Sequence, residues 1–287
     1  MVEIQRVGVV GCGLMGSGVA EAAARAGLGV RVVDLDRATL ERGRERVRAS
    51  ISRAEKAGKL TGTEVEASLD RIEFSTDIGS LADRQLVVEA VVESETEKVA
   101  VFQSLDKVGD DPGAVLASNT SSIPIMKLAM ATSRPSQVIG IHFFNPVPVL
   151  PLVELVTSLL TSDETTAVAH HFATEQLGKQ VIRSQDRAGF IVNALLIPYI
   201  LSAVRMLESG FATAEDIDLG MVKGCAHPMG PLHLADLIGL DTTMAVANSL
   251  YEEFKEPLYA PPPLLARMVE AGLLGRKSGR GFYDYKA

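Results

Sequence analysis

The sequence predicts an α/β fold, a doubly wound and mostly parallel sheet followed by an all-α C-terminal domain. Three observations predict it. The first two-thirds of the chain alternates short β-branched runs with helical stretches, the pattern of a parallel sheet covered by helices on both faces. A glycine-rich turn, Gly11-Cys12-Gly13-Leu14-Met15-Gly16, stands between the first strand run and the first helical run. From residue 191 onward the periodicity is helical and strand runs disappear.

Taken in order, strands are expected at 6–10, 29–33, 72–75, 86–89, 115–118, 138–142 and 152–156, with a last short one near 180–182. Helices are expected between them at 16–26, 38–57, 95–107 and 163–177. The C-terminal part carries helical patterns at 191–208, 214–222, 232–238, 242–254 and 264–271. Thr213 has the chemistry of an N-cap, with acidic residues in the turn after it, and Gly210 ends the helix before it. Pro261-Pro262-Pro263 marks a rigid turn rather than a linker. No internal repeat or low-complexity segment interrupts the pattern. The expected division is a dinucleotide-binding domain at 1–184 and a helical domain at 185–287.

The bulk composition agrees. A length of 287 residues is a soft prior for two domains, and 47% hydrophobic against 22% charged residues allows a sizeable core. The formal net charge of −8, from 28 basic and 36 acidic residues, argues against nucleic acid or an anionic membrane as a partner. A small cationic pocket for a phosphorylated ligand stays compatible with it. Cys12 and Cys225 are far apart and show no disulfide framework or zinc spacing, so no metal is expected and a reducing cytoplasm fits. The N-terminal residues run straight into a strand pattern, so no signal peptide is expected. Residues 188–204 are apolar but carry Asn193, Pro198, Tyr199 and Ser202. A membrane span needs about 20 predominantly apolar residues, so a buried core helix is expected there.

The glycine turn fits G-x-G-x-x-G, which is weak alone and stronger between a strand and a helix. Gly11 permits the tight turn, Gly13 admits a pyrophosphate, and Gly16 lets helix and strand pack closely. Leu14 and Met15, inside the same turn, are expected on the cofactor side, and the helix that the turn opens points its free N-terminal N–H groups at the phosphates. Asp34 ends the second strand, where a ribose-binding acid belongs. A Rossmann-type domain binding NAD rather than NADP is expected, because an acid there repels a 2′-phosphate. Arg31 and Arg37 flank Asp34 and would soften that preference.

The chemistry is expected at His142, at the end of an apolar run, with Glu154 in the next one. A histidine held by a carboxylate is one way to build a general base that works near neutral pH. Ser118-Asn119-Thr120-Ser121-Ser122 follows a strand directly, at the carboxyl edge where open α/β sheets bind ligands. A helix cap before Pro124 would explain the same residues. Asn193 stands in the middle of an apolar helical pattern, where an amide needs partners, either a ligand or another helix.

These stretches together resemble the short-chain L-3-hydroxyacyl-CoA dehydrogenase family, and in particular its bacterial 3-hydroxybutyryl-CoA branch. The motifs that carry the resemblance are residues 11–16, Val88-Glu89-Ala90-Val91-Val92-Glu93, 117–122, 142–148, Gly189-Phe190-Ile191-Val192-Asn193, His227-Pro228-Met229-Gly230-Pro231, Gly239-Leu240-Asp241-Thr242 and 277–283. They occur in family order over nearly the whole chain. The resemblance implies an NAD-dependent dehydrogenase acting at C3 of a short 3-hydroxyacyl-CoA. It makes His142 the base and Glu154 its partner, and places Ser121 and Asn193 on the substrate oxygens. Asn145, Glu93, Lys98, Ser121 and Lys277 match cofactor-side positions. Ser50 and Lys56 are the nearest match to a CoA-binding Ser and Lys, with Lys59 as the alternative. The resemblance also implies a homodimer formed by the helical domain. Two other readings stay open: a dehydrogenase of a free hydroxy acid, whose relatives typically use a lysine base missing here, and a non-catalytic dinucleotide-binding protein.

Overall fold

The computed structural model describes residues 3–285. They form two compact units, one ending at Asp186 and the other beginning at Arg187. In the first unit β1 (Arg6–Val10), α1 (Leu14–Arg25), β2 (Gly29–Val33), α2 (Arg37–Lys56), α3 (Gly62–Asp70), β3 (Ile72–Ser75) and β4 (Leu86–Glu89) come first. They are followed by α4 (Glu95–Val108), β5 (Val115–Ser118), α5 (Ile125–Ala129), β6 (Val138–Phe143), β7 (Leu152–Thr157), α6 (Asp163–His171) and β8 (Gln180–Gln185).

The strands form one sheet in the order β3-β2-β1-β4-β5-β6-β7-β8. β1 to β6 run parallel, β7 pairs antiparallel with β6, and β8 runs parallel to β7. Strand order turns back between β1 and β4, so the loops after those strands diverge and leave a crevice at the carboxyl edge. The central strands β4, β5 and β6 are buried at every residue, as expected of strands with both faces covered. The amphipathic stripe of α2, Leu40, Gly43, Val47 and Ile51, faces the core, while its charged residues face outward.

Two helices were not expected from the pattern. α3 is nine residues long with only Ser68 buried, so its apolar period is faint, yet a capping box joins Thr61 and Glu64 at its start. α5 is five residues long and opens after Pro124, with its Ile125 and Met126 N–H groups each donating to the Asp186 carboxylate at 2.7 Å. The expected helix at 163–177 changes winding at Phe172, and Phe172–Gln176 form a π-helical turn.

The second unit is helical: α7 (Val192–Glu208), α8 (Ala214–Gly224), α9 (Pro231–Ile238), α10 (Leu240–Phe254) and α11 (Pro263–Glu270). Thr213 caps α8 by accepting from the Asp216 N–H. On α7, Ile197, Ile200, Leu201 and Val204 pack in one core with Leu232, Leu240, Leu250 and Leu265. Among the described residues no helix is long and apolar enough to cross a membrane. Gly239, at φ 103°, both ends α9 and starts α10, which therefore begins two residues ahead of the expected 242. The C-terminal motif is explained by Asp236, a buried carboxylate that accepts from the Phe282 and Tyr283 N–H groups at 3.0 Å each. A Cβ on Gly281 would lie 1.9 Å from Asp236 Oδ1, so only glycine fits that approach.

Candidate active site

The glycine turn lies beside the β1–β4 crevice. Gly11 has φ 97°, and a Cβ there would lie 2.6 Å from the Ala90 carbonyl oxygen. A Cβ on Gly16 would lie 1.9 Å from the Gly11 carbonyl oxygen, so α1 can approach the turn only with glycine there. Nothing lies within 4 Å of the Cβ position of Gly13, which leaves room for a ligand. α1 has no side-chain cap and no acid in its first turn, so its N-terminal N–H groups are available to an anion. Asp34 Oδ2 accepts from Cys12 N at 2.6 Å, and Oδ1 accepts from Leu35 N at 2.7 Å. Each carboxylate oxygen has a second acceptor site for a ribose hydroxyl. These residues fit a dinucleotide. Arg31 departs from expectation: it donates to Glu73 at 2.9 Å and to the Ser80 carbonyl at 2.7 Å, which commits its guanidinium elsewhere.

β6 and β7 bring His142 and Glu154 together. His142 is registered directly opposite Glu154 in the antiparallel ladder, and His142 Nδ1 lies 2.7 Å from Glu154 Oε2. His142 is 6% exposed and Glu154 is fully buried. An ionised carboxylate can only accept, so a proton in this contact is donated by Nδ1. The Phe144 ring packs against the imidazole with centroids 4.6 Å apart.

The Ser121 loop hangs on Glu93. Glu93 Oε1 accepts from Ser121 N at 2.9 Å, Ser122 N at 3.1 Å, Ser122 Oγ at 3.0 Å, and the Thr120 hydroxyl. Lys98 Nζ lies 3.3 Å from Glu93 Oε2 and 2.7 Å from Glu89 Oε1. Burial opposes ionisation of Glu93, but Lys98 and the donors of Thr120, Ser121 and Ser122 outweigh it and hold the carboxyl below its ordinary range. Lys98 is 1% exposed and sits between two carboxylates. Glu89 is the member that sequence reasoning missed; an acid ending an otherwise apolar strand was the available signal.

Ser50 lines a groove of about 370 Å³ with Arg46 and Arg53 of α2, Glu21 of α1, and Asn145 in the loop after β6. Arg46, Ser50 and Arg53 follow i, i+4, i+7 spacing, which puts them on one helix face. That spacing was a readable signal for the two arginines, which were not expected in the site. Arg46 also donates to the Cys12 carbonyl at 2.9 Å, tying α2 to the glycine turn. Lys56 and Lys59 are exposed at and beyond the end of α2 and are absent from the groove lining. Burial pushes the Glu21 carboxyl up against the opposing effects of Ser50, Arg25 and Arg53.

Two expected residues lie in the second unit. Asn193 is the second residue of α7, in its first turn rather than mid-helix, because Gly189 and Phe190 at φ 74° and 50° stop the helix from starting earlier. Lys277 pairs with Asp241, in the first turn of α10, at 2.6 Å. Among the described residues no cluster of His, Cys, Asp and Glu is arranged to hold a metal.

The fold and the dinucleotide cradle define a two-unit nicotinamide-dependent oxidoreductase. The chain belongs to the 3-hydroxyacyl-CoA dehydrogenase family: the family's NAD binding domain matches residues 6–187 and its C-terminal domain residues 189–285. It is 60% identical over 282 residues to a 3-hydroxybutyryl-CoA dehydrogenase of Mycobacterium tuberculosis, covering 98% of this chain and 99% of that protein. It is 41% identical over 290 residues to the human mitochondrial hydroxyacyl-coenzyme A dehydrogenase, covering 99% of this chain and 92% of that one. The crystal structure of M. tuberculosis FadB2 superimposes with a TM-score of 0.98 at 60% identity, covering 99% of this chain and 100% of that one. The (S)-3-hydroxybutyryl-CoA dehydrogenase PaaH1 from Ralstonia eutropha gives a TM-score of 0.92 at 47% identity, with coverage of 99% and 100%. The protein is an NAD-dependent 3-hydroxyacyl-CoA dehydrogenase.

Proposed function

We propose that the enzyme interconverts short (S)-3-hydroxyacyl-CoA and 3-oxoacyl-CoA, with 3-hydroxybutyryl-CoA and acetoacetyl-CoA as its preferred pair, and that His142 is its general acid/base. The observation that carries this reading is the 2.7 Å contact between His142 Nδ1 and Glu154 Oε2. NAD(H), when bound, supplies the hydride acceptor or donor at its nicotinamide. His142 Nε2 takes the hydroxyl proton as the C3 hydrogen leaves as hydride, and returns it when the ketone is reduced. Glu154 balances the imidazolium charge at a site where neither side chain is open to bulk water. Ser121 and Asn193 hydrogen-bond the substrate oxygens, as the family resemblance assigns them. The preference for a short acyl group is supported by relatives named for 3-hydroxybutyryl-CoA at 60% and 46% identity.

The CoA moiety is assigned to the groove at Ser50, where Arg46 and Arg53 offer charge to its phosphates in place of Lys56. Asp34 reads the adenosine ribose, and Glu93, Lys98, Asn145 and Lys277 serve the cofactor side, Lys98 by holding Glu93. A homodimer through the helical unit belongs to the same reading, supported by the exposed apolar side chains Leu195, Phe211 and Leu219. So does a cytoplasmic location.

The test is NADH absorbance with acetoacetyl-CoA, longer 3-oxoacyl-CoA thioesters and free acetoacetate. Turnover of the short thioester above the others is the expected result. Equal or faster turnover of the longer thioesters, or of the free acid, would overturn the proposed preference for a short acyl-CoA.

A further inference from the structure

We propose that Asn119 is a positioning residue for the reaction: its side-chain amide stands in for absent β5 backbone and holds the strand end that carries His142. The inference rests on His142 being the base. β5 ends at Ser118, which is paired with Gly140 of β6. β6 continues for three more residues, Ile141, His142 and Phe143, with no β5 residue beside them in the ladder. Buried backbone N–H groups need acceptors, and a strand that outruns its neighbour leaves them exposed to that need. The Phe143 N–H, directly after His142, donates to Asn119 Oδ1 at 2.9 Å. Phe143 and Asn119 are both buried there, Asn119 at 9% exposure.

Asn119 is itself fixed at its backbone. Its N–H donates to the Glu89 carbonyl of β4 at 2.9 Å. A single residue therefore ties β4 to the end of β6, and the chain then runs directly into Thr120, Ser121 and Ser122, which Glu93 collects. On the other side β6 is held by its ladder with β7, which supplies Glu154. The end of β6 that carries His142 is thus held between β7 and Asn119, and Asn119 leads directly into the Ser121 loop. A short polar side chain with an acceptor at its tip is required; an apolar residue of the same size would fill the space and leave the Phe143 N–H without its acceptor.

The test compares Asn119→Leu, near in size with no acceptor, with Asn119→Asp, which keeps one, alongside His142→Gln. kcat and KM are measured with acetoacetyl-CoA and NADH, NADH affinity by fluorescence, and Phe143 amide exchange by NMR. Misplacement of a catalytic group by about 1 Å can cost about 10²-fold in rate. Asn119→Leu is expected to lose kcat on that scale and speed Phe143 exchange, while KM and NADH affinity move less than about threefold. Asn119→Asp should recover most of both losses. Wild-type kcat in Asn119→Leu, or an Asp variant no better than the Leu variant, would overturn the inference. If His142→Gln keeps its kcat, the assignment of the base fails instead; an inactive His142→Gln beside a fully active Asn119→Leu removes only the role of Asn119.

Discussion

His142 and Glu154 are direct cross-strand partners, one from β6 and one from β7, joined by a 2.7 Å hydrogen bond. Residues directly opposed in an antiparallel pair put their side chains on the same face. β6 and β7 form the one antiparallel pairing of the named strands, so the chain reversal after Phe143 is what brings the carboxylate to the imidazole. The pair is built into the sheet ladder rather than held by a mobile loop.

The first prediction concerns that pair. General base catalysis is typically worth about 10²–10⁴ in rate. His142→Gln should lose about that much kcat while still binding NADH. Glu154→Gln should lose activity too, because its amide can present a donor toward Nδ1 and disturb the tautomer. Residues that act as a unit give non-additive losses. A double-mutant cycle on kcat with acetoacetyl-CoA reads this, and fully additive losses would count against a dyad.

Much of this arrangement was legible in the sequence, for identifiable reasons. The G-x-G-x-x-G turn was readable because its glycines answer local steric demands, seen here at Gly11 and Gly16. The central strands β4 to β6 were readable because strands buried on both faces are near-continuous apolar runs. α3 was not, since a nine-residue helix with one buried residue has almost no period, although its Thr61–Glu64 box was visible. An expected helix start at 191 already puts Asn193 in a first turn, and α7 starts at Val192, so only the reading of Asn193 as mid-helix fails. Arg31 looked close to Asp34 in sequence, but its partner Glu73 lies on the neighbouring strand, and only strand register reveals that. Glu89 and Lys98 are nine positions apart, and their pairing emerges only when β4 and α4 are folded.

The second prediction concerns the cofactor. Asp34 holds the Cys12 N–H and offers its remaining acceptor sites to ribose, while a 2′-phosphate would meet like charge. The enzyme should prefer NADH over NADPH in kcat/KM. Asp34→Ser should narrow the gap and loosen the glycine turn. Equal kcat/KM for the two cofactors in the unmodified enzyme would remove Asp34 as the discriminator.

The third prediction separates chemistry from packing at Asn193. In the first turn of α7 it is only half buried, so truncation should disturb little core. Asn193→Ala is expected to lower turnover of acetoacetyl-CoA by at least about tenfold while Tm shifts by no more than a few degrees, as for an ordinary partly exposed site. A variant that melts early and keeps its specific activity would make Asn193 a structural amide.

The fourth prediction is a pH dependence. Glu93 has its folded pKa held below the ordinary carboxylate value of about 4.3. The folded state therefore binds fewer protons than the unfolded chain in acid. Its contribution to stability is fully present above that ordinary value and is lost as pH falls through the lower folded one. The Tm difference between wild type and Glu93→Gln should be constant from neutral pH to about 5 and shrink below it. A difference that grows on acidification contradicts the assignment.

The last prediction concerns Lys98, which is 1% exposed beside a Glu89 that is fully buried. Its Nζ bonds Glu89 Oε1 at 2.7 Å, while Ser118 Oγ at 2.7 Å takes the other oxygen and Val91 N, also 2.7 Å away, shares the first. Removing one partner of a buried ion pair leaves an uncompensated charge and typically costs about 3–5 kcal/mol. Lys98→Met should therefore destabilise the protein by about that much in urea unfolding. The Ser121 loop should loosen with it, because Glu93 loses its cation as well. Adding Glu89→Gln removes the stranded charge while keeping an acceptor for Val91 N, so the double variant should be more stable than the sum of the two single losses. If Lys98→Met costs less than about 1 kcal/mol, in the range of an exposed pair, or the two losses simply add, then Lys98 does not hold the charge balance of this site.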